Sequence, residues 1–243
     1  MLQRIEEFKQ QISREELLEI ANEAVLELEG SAEQLLLTEV LLLEHVDRLI
    51  MRRLNLPSYR RWRTRHVTLR RAQREATHWG LDPHTPLGRY AAEFETDGDA
   101  LVVGSGAASA ALFLAAHDWP VTYIDNQITT VEAAETRAAT EDLSGRFSAL
   151  VVGLGDWFPD LRPVLTVVDP ITLGKLDRPS CSSFLETLTE RTPAGGVHII
   201  LPRSTTEDVV QFAAESVERH YEGWRVSRGR MPNGSRWFTA VRG

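Results

Sequence analysis

The chain has a single cysteine, almost no lysine and no long uncharged apolar run, and each shortage removes a class of protein. A lone Cys181 cannot close an internal disulfide, so stability must come from a buried core, which 243 residues at 42% apolar content can supply. The most apolar stretch, residues 35–43, contains Glu39 and stops at Glu44, too short and too charged to span a bilayer, and it reads as a buried helix. The amino terminus lacks a basic-then-apolar signal pattern, which with the missing disulfides makes the cytoplasm the expected address. A formal charge of −8 opposes generic affinity for nucleic acid, because phosphate binding is driven by basic side chains that displace counterions. That charge is unevenly spread. Residues 1–51 are acidic, whereas residues 52–74 hold nine arginines and no acid. The simplest reading pairs this basic block with the acidic helices before it; contact with an anionic substrate or nucleic acid, and an oligomer interface through the N-terminal helices, are the alternatives.

What is present falls into two patterns. In the first third, Ile5, Phe8, Ile12, Leu17, Leu18, Ala21, Val25 and Leu28 recur near helical spacing up to Gly30. Ser31 is placed to cap a second helix to about Arg53, and Pro57-Ser58 starts a third, basic one that reaches about Trp79. Gly80, Pro83, Pro86 and Gly88 break regularity, so the expected organisation is an N-terminal helical domain over 1–90 and an α/β domain over 91–243. From Ala100 onward, short apolar runs at 100–103, 121–124, 148–152, 164–168 and 197–201 alternate with helical stretches, the pattern of parallel βαβ units. Runs at 224–230 and 236–241, separated by a segment with Asn233-Gly234, read as a closing hairpin. The expected fold is therefore a Rossmann-like, seven-stranded, mostly parallel sheet with a C-terminal antiparallel hairpin.

Chemistry concentrates where the first of these strands ends. An apolar strand enters Gly104-Ser105-Gly106, small residues follow and a helix leaves, so backbone can approach a ligand closely. Asp125 ends the next strand, 19 residues after Gly106, where a carboxylate can accept ribose hydroxyls. Ser109 occupies the third glycine position of the dinucleotide fingerprint, which departs from a nicotinamide site. Asp156, just after the third strand, is placed to accept from an adenine amino group, with Trp157 or Phe158 packing on the ring; the bland readings are a turn cap and a core aromatic. His198, inside the fifth strand, reads as a hydrogen-bonded core histidine.

These segments resemble the class I S-adenosylmethionine-dependent methyltransferases, and residues 111–125 are similar to the compact small-molecule enzymes of the tellurite-resistance and thiopurine type. The resemblance implies that Gly104, Ser105 and Gly106 hold the methionine part of S-adenosylmethionine, Asp125 its ribose and Asp156 with Trp157 its adenine. Pro193-Ala-Gly-Gly-Val-His-Ile-Ile200 matches the family's turn and strand after the fourth helix. The implied activity is methyl transfer to a small-molecule nucleophile, with no metal. Asp169, at the end of the fourth strand, and His84 and Tyr90, where this fold commonly carries a lid, become the candidates for orienting the acceptor or taking its proton; the bland readings are a structural cap for Asp169 and ordinary loop or packing residues for His84 and Tyr90. A nicotinamide-dependent oxidoreductase and a non-catalytic adenosine- or RNA-binding module are the rival classes.

Overall fold

The computed structural model describes residues 2–29, 39–93, 98–201, 219–230 and 236–243. The chain divides into two compact units, Met1–Thr68 and Leu69–Gly243.

In the first unit, α1 (Leu2–Gln11) and α2 (Arg14–Glu29) replace the single helix expected before Gly30. The break has a local cause. The Ser13 hydroxyl accepts from the Glu16 amide at 3.2 Å, while the Glu16 carboxylate accepts from the Ser13 amide at 2.9 Å, a reciprocal capping box that starts α2. These hydrogen bonds hold the exposed Glu16 carboxyl below its ordinary value. The third helix, α3 (Glu39–Arg53), sends Val46, Leu49 and Ile50, spaced along one helical stripe, against Ile5 of α1 and Ile20 and Ala24 of α2. The cap expected at Ser31 and the first half of the apolar run at 35–43 lie outside the described residues; within its described part, Leu43 is largely exposed. The basic helix α4 (Tyr59–Gln73) ends six residues earlier than its pattern suggests, and a 3₁₀ turn at Ala76–Trp79 follows, closed by Gly80 at a φ of 72°.

The second unit begins before residue 91. Trp79 is buried with its indole N–H on the Gln73 carbonyl at 2.7 Å, and α5 (Pro86–Glu93) buries Leu87, Tyr90 and Ala91 in the same apolar cluster as the sheet. Burial of these side chains, rather than the Gly/Pro-rich composition between them, sets the boundary near residue 69 instead of 90.

Seven strands follow: β1 (Ala100–Val103), β2 (Val121–Asp125), β3 (Phe147–Val151), β4 (Leu165–Val168), β5 (Val197–Ile200), β6 (Arg225–Arg230) and β7 (Arg236–Val241). Their order is β3-β2-β1-β4-β5-β7-β6, with β7 antiparallel to both β5 and β6 and the other pairs parallel. The residues of the expected Asn-Gly turn, 231–235, lie outside those described. Every residue of β1, β4 and β5 is buried, which requires covered faces on both sides. Ala100 and Val102 join one apolar cluster with α6 (Ala108–Ala116) and α7 (Ile128–Thr140), whereas Leu101 and Val103 join the other, with α8 (Pro170–Gly174) and α9 (Arg178–Arg191). Among the described residues, no helix is long and apolar enough to cross a membrane.

Candidate functional site

The strand order reverses at β1, whose neighbours are β2 on one side and β4 on the other, and open α/β sheets bind ligands beyond the C-terminal ends of strands at such a switch point. Register brings three sequence-selected residues to that edge together. Val103 pairs with both Ile124 and Val168, so Gly104, Asp125 and Asp169 each stand one step past the same row.

Gly104 adopts φ 95° and ψ 153°, a region open essentially only to glycine. A Cβ there would collide with Thr172, whose own Cβ would lie 2.7 Å away, and would sit 3.0 Å from the Asp169 Cβ. The chain then makes a 3₁₀ turn at Ser105–Ala107, closed by the Ala107 amide on the Gly104 carbonyl at 2.8 Å, and enters α6. Ser105 and Gly106 remain partly exposed.

Asp169 is buried and its carboxylate is occupied. It accepts from the Gly106 amide at 3.0 Å, the Thr172 hydroxyl at 3.1 Å and the Ile171 amide at 3.3 Å. It is also the N-cap of α8, with Pro170 as the first helical residue. The geometry ties the glycine turn to the start of α8 and gives this carboxylate the work of holding backbone.

Asp125 is fully buried, its Oδ1 accepting from the Gln127 amide at 2.7 Å. Tyr123, two residues earlier and therefore on the same face of β2, places its hydroxyl 3.4 Å from the Gly104 carbonyl and 3.5 Å from Asp125 Oδ2. Burial, reinforced by the Asp125 charge, pushes the Tyr123 phenol upward, so it stays protonated as a donor shared between the two acceptors. Tyr123 and Thr172 are the residues that sequence reading missed; spacing alone, i−2 from Asp125 and i+3 from Asp169, carried the signal.

Asp156 and Trp157 lie in the turn after β3, their amides on the Gly153 carbonyl at 3.1 and 3.2 Å. Both are exposed, Trp157 at 50%, so the core reading of Trp157 does not hold. Gly155, at φ 98°, lets this turn approach α9, where a Cβ would lie 2.8 Å from that of Ser180. His84 stands exposed on the turn before α5, its amide on Asp82 Oδ1 at 2.9 Å, while Tyr90 is buried beneath the Arg89 guanidinium, 5.2 Å from its ring centre.

His198 is a core residue. Thr192 donates to the Leu188 carbonyl at 2.7 Å and so accepts from His198 Nε2 at 2.7 Å, leaving Nδ1 to accept from the Tyr221 hydroxyl at 2.8 Å. Burial, with the Arg242 charge adding to it, lowers the imidazole to about 3 and keeps it neutral. Cys181 is buried, which raises its thiol. Among the described residues, no group of three His, Cys, Asp or Glu side chains is arranged to hold a metal ion.

No protein-family model and no curated protein matches this sequence. Solved structures do. The glycopeptide N-methyltransferase MtfA, complexed with S-adenosyl-L-homocysteine, aligns with a TM-score of 0.53 at 13% identity, over 68% of this chain and 91% of that one. Precorrin-6y C5,15-methyltransferase of Geobacter metallireducens aligns with a TM-score of 0.52 at 13% identity, over 63% and 85%. An O-methyltransferase family protein of Burkholderia thailandensis gives 0.50 at 16%, over 65% and 55%. The fold of this chain is that of the Rossmann-like, S-adenosylmethionine-dependent methyltransferases.

Proposed function

We propose that the chain binds S-adenosylmethionine and transfers its methyl group to a small-molecule nucleophile, in the manner of the compact tellurite-resistance and thiopurine enzymes. The observation that carries this reading is the Gly104–Gly106 turn, locked at the β1 switch point on a level with Asp125 and Asp169. MtfA, which shares the fold, is complexed with S-adenosyl-L-homocysteine and with sinefungin in crystals, which supports the choice of cofactor.

The residues fit an adenosyl group in distinct ways. The partly exposed Ser105-Gly106 turn suits the methionine part, and Trp157 offers an exposed indole for the adenine ring with the exposed Asp156 carboxylate beside it in sequence. Asp125 takes the ribose by giving up its 3.5 Å contact with Tyr123, the weaker of its two, while the Gln127 amide at 2.7 Å keeps it anchored.

The cofactor supplies an electrophilic methyl carbon on a sulfonium. The chain's contribution is then to hold the acceptor in line, and positioning of this kind supplies about 7–11 kcal/mol of barrier lowering. In this reading Asp169 is a positioning residue that fixes the glycine turn, not the base. His84, which is exposed, and Tyr90 are the groups assigned to the acceptor. The helical unit, residues 1–68, is assigned acceptor choice or self-association in the cytoplasm.

The test is transfer of tritium from methyl-labelled S-adenosylmethionine to a panel of small amines, alcohols, thiols and phenols. Label in a low-mass product that disappears in the Asp125→Ala variant is the expected result. Hydride transfer from a nicotinamide cofactor, with no methyl transfer, would overturn the reading.

A further inference from the structure

We infer that Arg60, Arg61, Arg63 and Arg65, the exposed arginines of α4 within the first unit, form a nucleic-acid-binding surface that holds a strand through its phosphates. The sequence left the block at residues 52–74 with a simple expectation, neutralisation by the acidic helices before it. The structure meets that expectation in part. Arg52 pairs with Glu27 at 3.1 Å and Arg53 with Glu23, both on α2, and Arg70 and Arg74 reach Asp118 at 3.6 and 2.7 Å. Arg60, Arg61, Arg63 and Arg65 are exposed and have no carboxylate within ion-pair distance among the described residues.

Their placement makes the surplus local. At about 100° per residue, Arg60, Arg61 and Arg65 fall within an arc of about 140°, and Arg63 lies about 60° beyond Arg60, so the four span about 200° of the helix within two turns. Arg61 and Arg65 are four apart, where like charges repel across one turn and oppose helix formation. An isolated chain gains nothing from that arrangement, whereas a polyanion relieves the repulsion. Overall charge of −8 does not remove the surface, because separated exposed charges are screened beyond about 8–10 Å in physiological salt.

The chemistry of the patch selects the partner. Protein interfaces are depleted of charge at their centre, whereas nucleic-acid interfaces are far more positive. Between residues 60 and 68 the exposed non-arginine side chains are Trp62, Thr64, Val67 and Thr68, too little apolar surface for a protein-type core. The threonine hydroxyls are turned back onto the helix, Thr64 on the Arg60 carbonyl and Thr68 on the Thr64 carbonyl, each at 2.9 Å, leaving guanidinium groups as the donors that face outward.

The experiment uses the full chain and a fluorescein-labelled, mixed-sequence single-stranded RNA of about 20 nucleotides, read by fluorescence anisotropy between 50 and 200 mM KCl. Each phosphate neutralised contributes about −0.7 to the slope of log K against log salt, so four contacts give about −2.8 and about a 50-fold loss of affinity across that range. Replacing Arg60, Arg61, Arg63 and Arg65 together by Gln should abolish that slope with the melting temperature retained, and replacing all four by Lys should restore it. No binding at 50 mM KCl, an unchanged slope in the Gln variant, or equally tight binding of a polyglutamate peptide would overturn the proposal, the last by assigning the surface to an acidic protein.

Discussion

Removing the Asp169 carboxylate should unfasten the glycine turn, and the structure sets the size of the effect. Three donors converge on this buried group: the Gly106 amide, the Thr172 hydroxyl and the Ile171 amide. In Asp169→Ala the Ile171 contact is lost as an N-cap, at about 1 kcal/mol, and the Gly106 and Thr172 donors are left without an acceptor, at about 1–3 kcal/mol together if water reaches one of them. The total of about 2–4 kcal/mol corresponds to a melting temperature lower by about 4–16 °C for a chain of this length. Asp169→Asn keeps one carbonyl acceptor but turns an N–H₂ toward the remaining donors, so it should recover less than half of that loss. A double-mutant cycle with Thr172→Val isolates the pair, where contacting residues couple by about 0.5–3 kcal/mol. The readouts are scanning calorimetry and titration calorimetry with S-adenosylhomocysteine, and affinity should fall with stability because the same bond shapes the turn. Asp169→Asn that melts normally and binds the cofactor product normally, yet loses methyl transfer, would refute this reasoning and return the carboxylate to the role of base.

Other perturbations have equally definite outcomes. Asp125→Ala should weaken cofactor binding by about 1–3 kcal/mol in calorimetry, the contribution of a charged acceptor to hydroxyl donors, and unchanged affinity in the folded variant would remove it from the site. Gly104→Ala forces a side chain into a glycine-only backbone region and against Thr172, so it should lower stability by about 2 kcal/mol or more in denaturant titration. His198 binds its proton at about 3 in the fold against 6.5 when free, so the unfolded chain takes up the proton first as pH drops. Its stabilising contribution is complete above about pH 6.5 and is lost progressively toward pH 3, a loss of roughly 3 kcal/mol by pH 4.5. His198→Gln should flatten that acid limb of the stability curve relative to the parent chain. Deleting residues 1–68 should leave cofactor affinity within about threefold by calorimetry while methyl transfer falls, since the glycine turn, Asp125 and Asp156 all lie in the second unit.

The sheet was legible because its strands are short buried runs bounded by turns, and the Gly104 turn with Asp125 was legible because strand, turn, helix and acid stand at fixed intervals. What composition could not convey was which of two neighbouring patterns is buried. Residues 80–88 look like a linker by their glycines and prolines, yet Leu87 within them and Trp79 and Tyr90 on either side pack on the core. Helix breaks were hidden for a related reason: apolar spacing runs through Ser13 uninterrupted, and only the Ser13–Glu16 exchange of hydrogen bonds divides α1 from α2. At the site, residue type marked Asp169 as chemically capable, but the donors that occupy it come from Gly106, more than sixty residues away, and from the helix it caps. The side-chain identity was readable and its engagement was not.

The central claim is the identity of the cofactor, and thermal unfolding tests it most directly. S-adenosylmethionine or S-adenosylhomocysteine at about 100 times its dissociation constant should stabilise the native chain by about 2.7 kcal/mol. For 243 residues that is a rise in melting temperature of about 5–11 °C, with no rise from NAD or NADP. A rise with NAD or NADP alone, or none with S-adenosylmethionine up to millimolar concentration, would contradict the account.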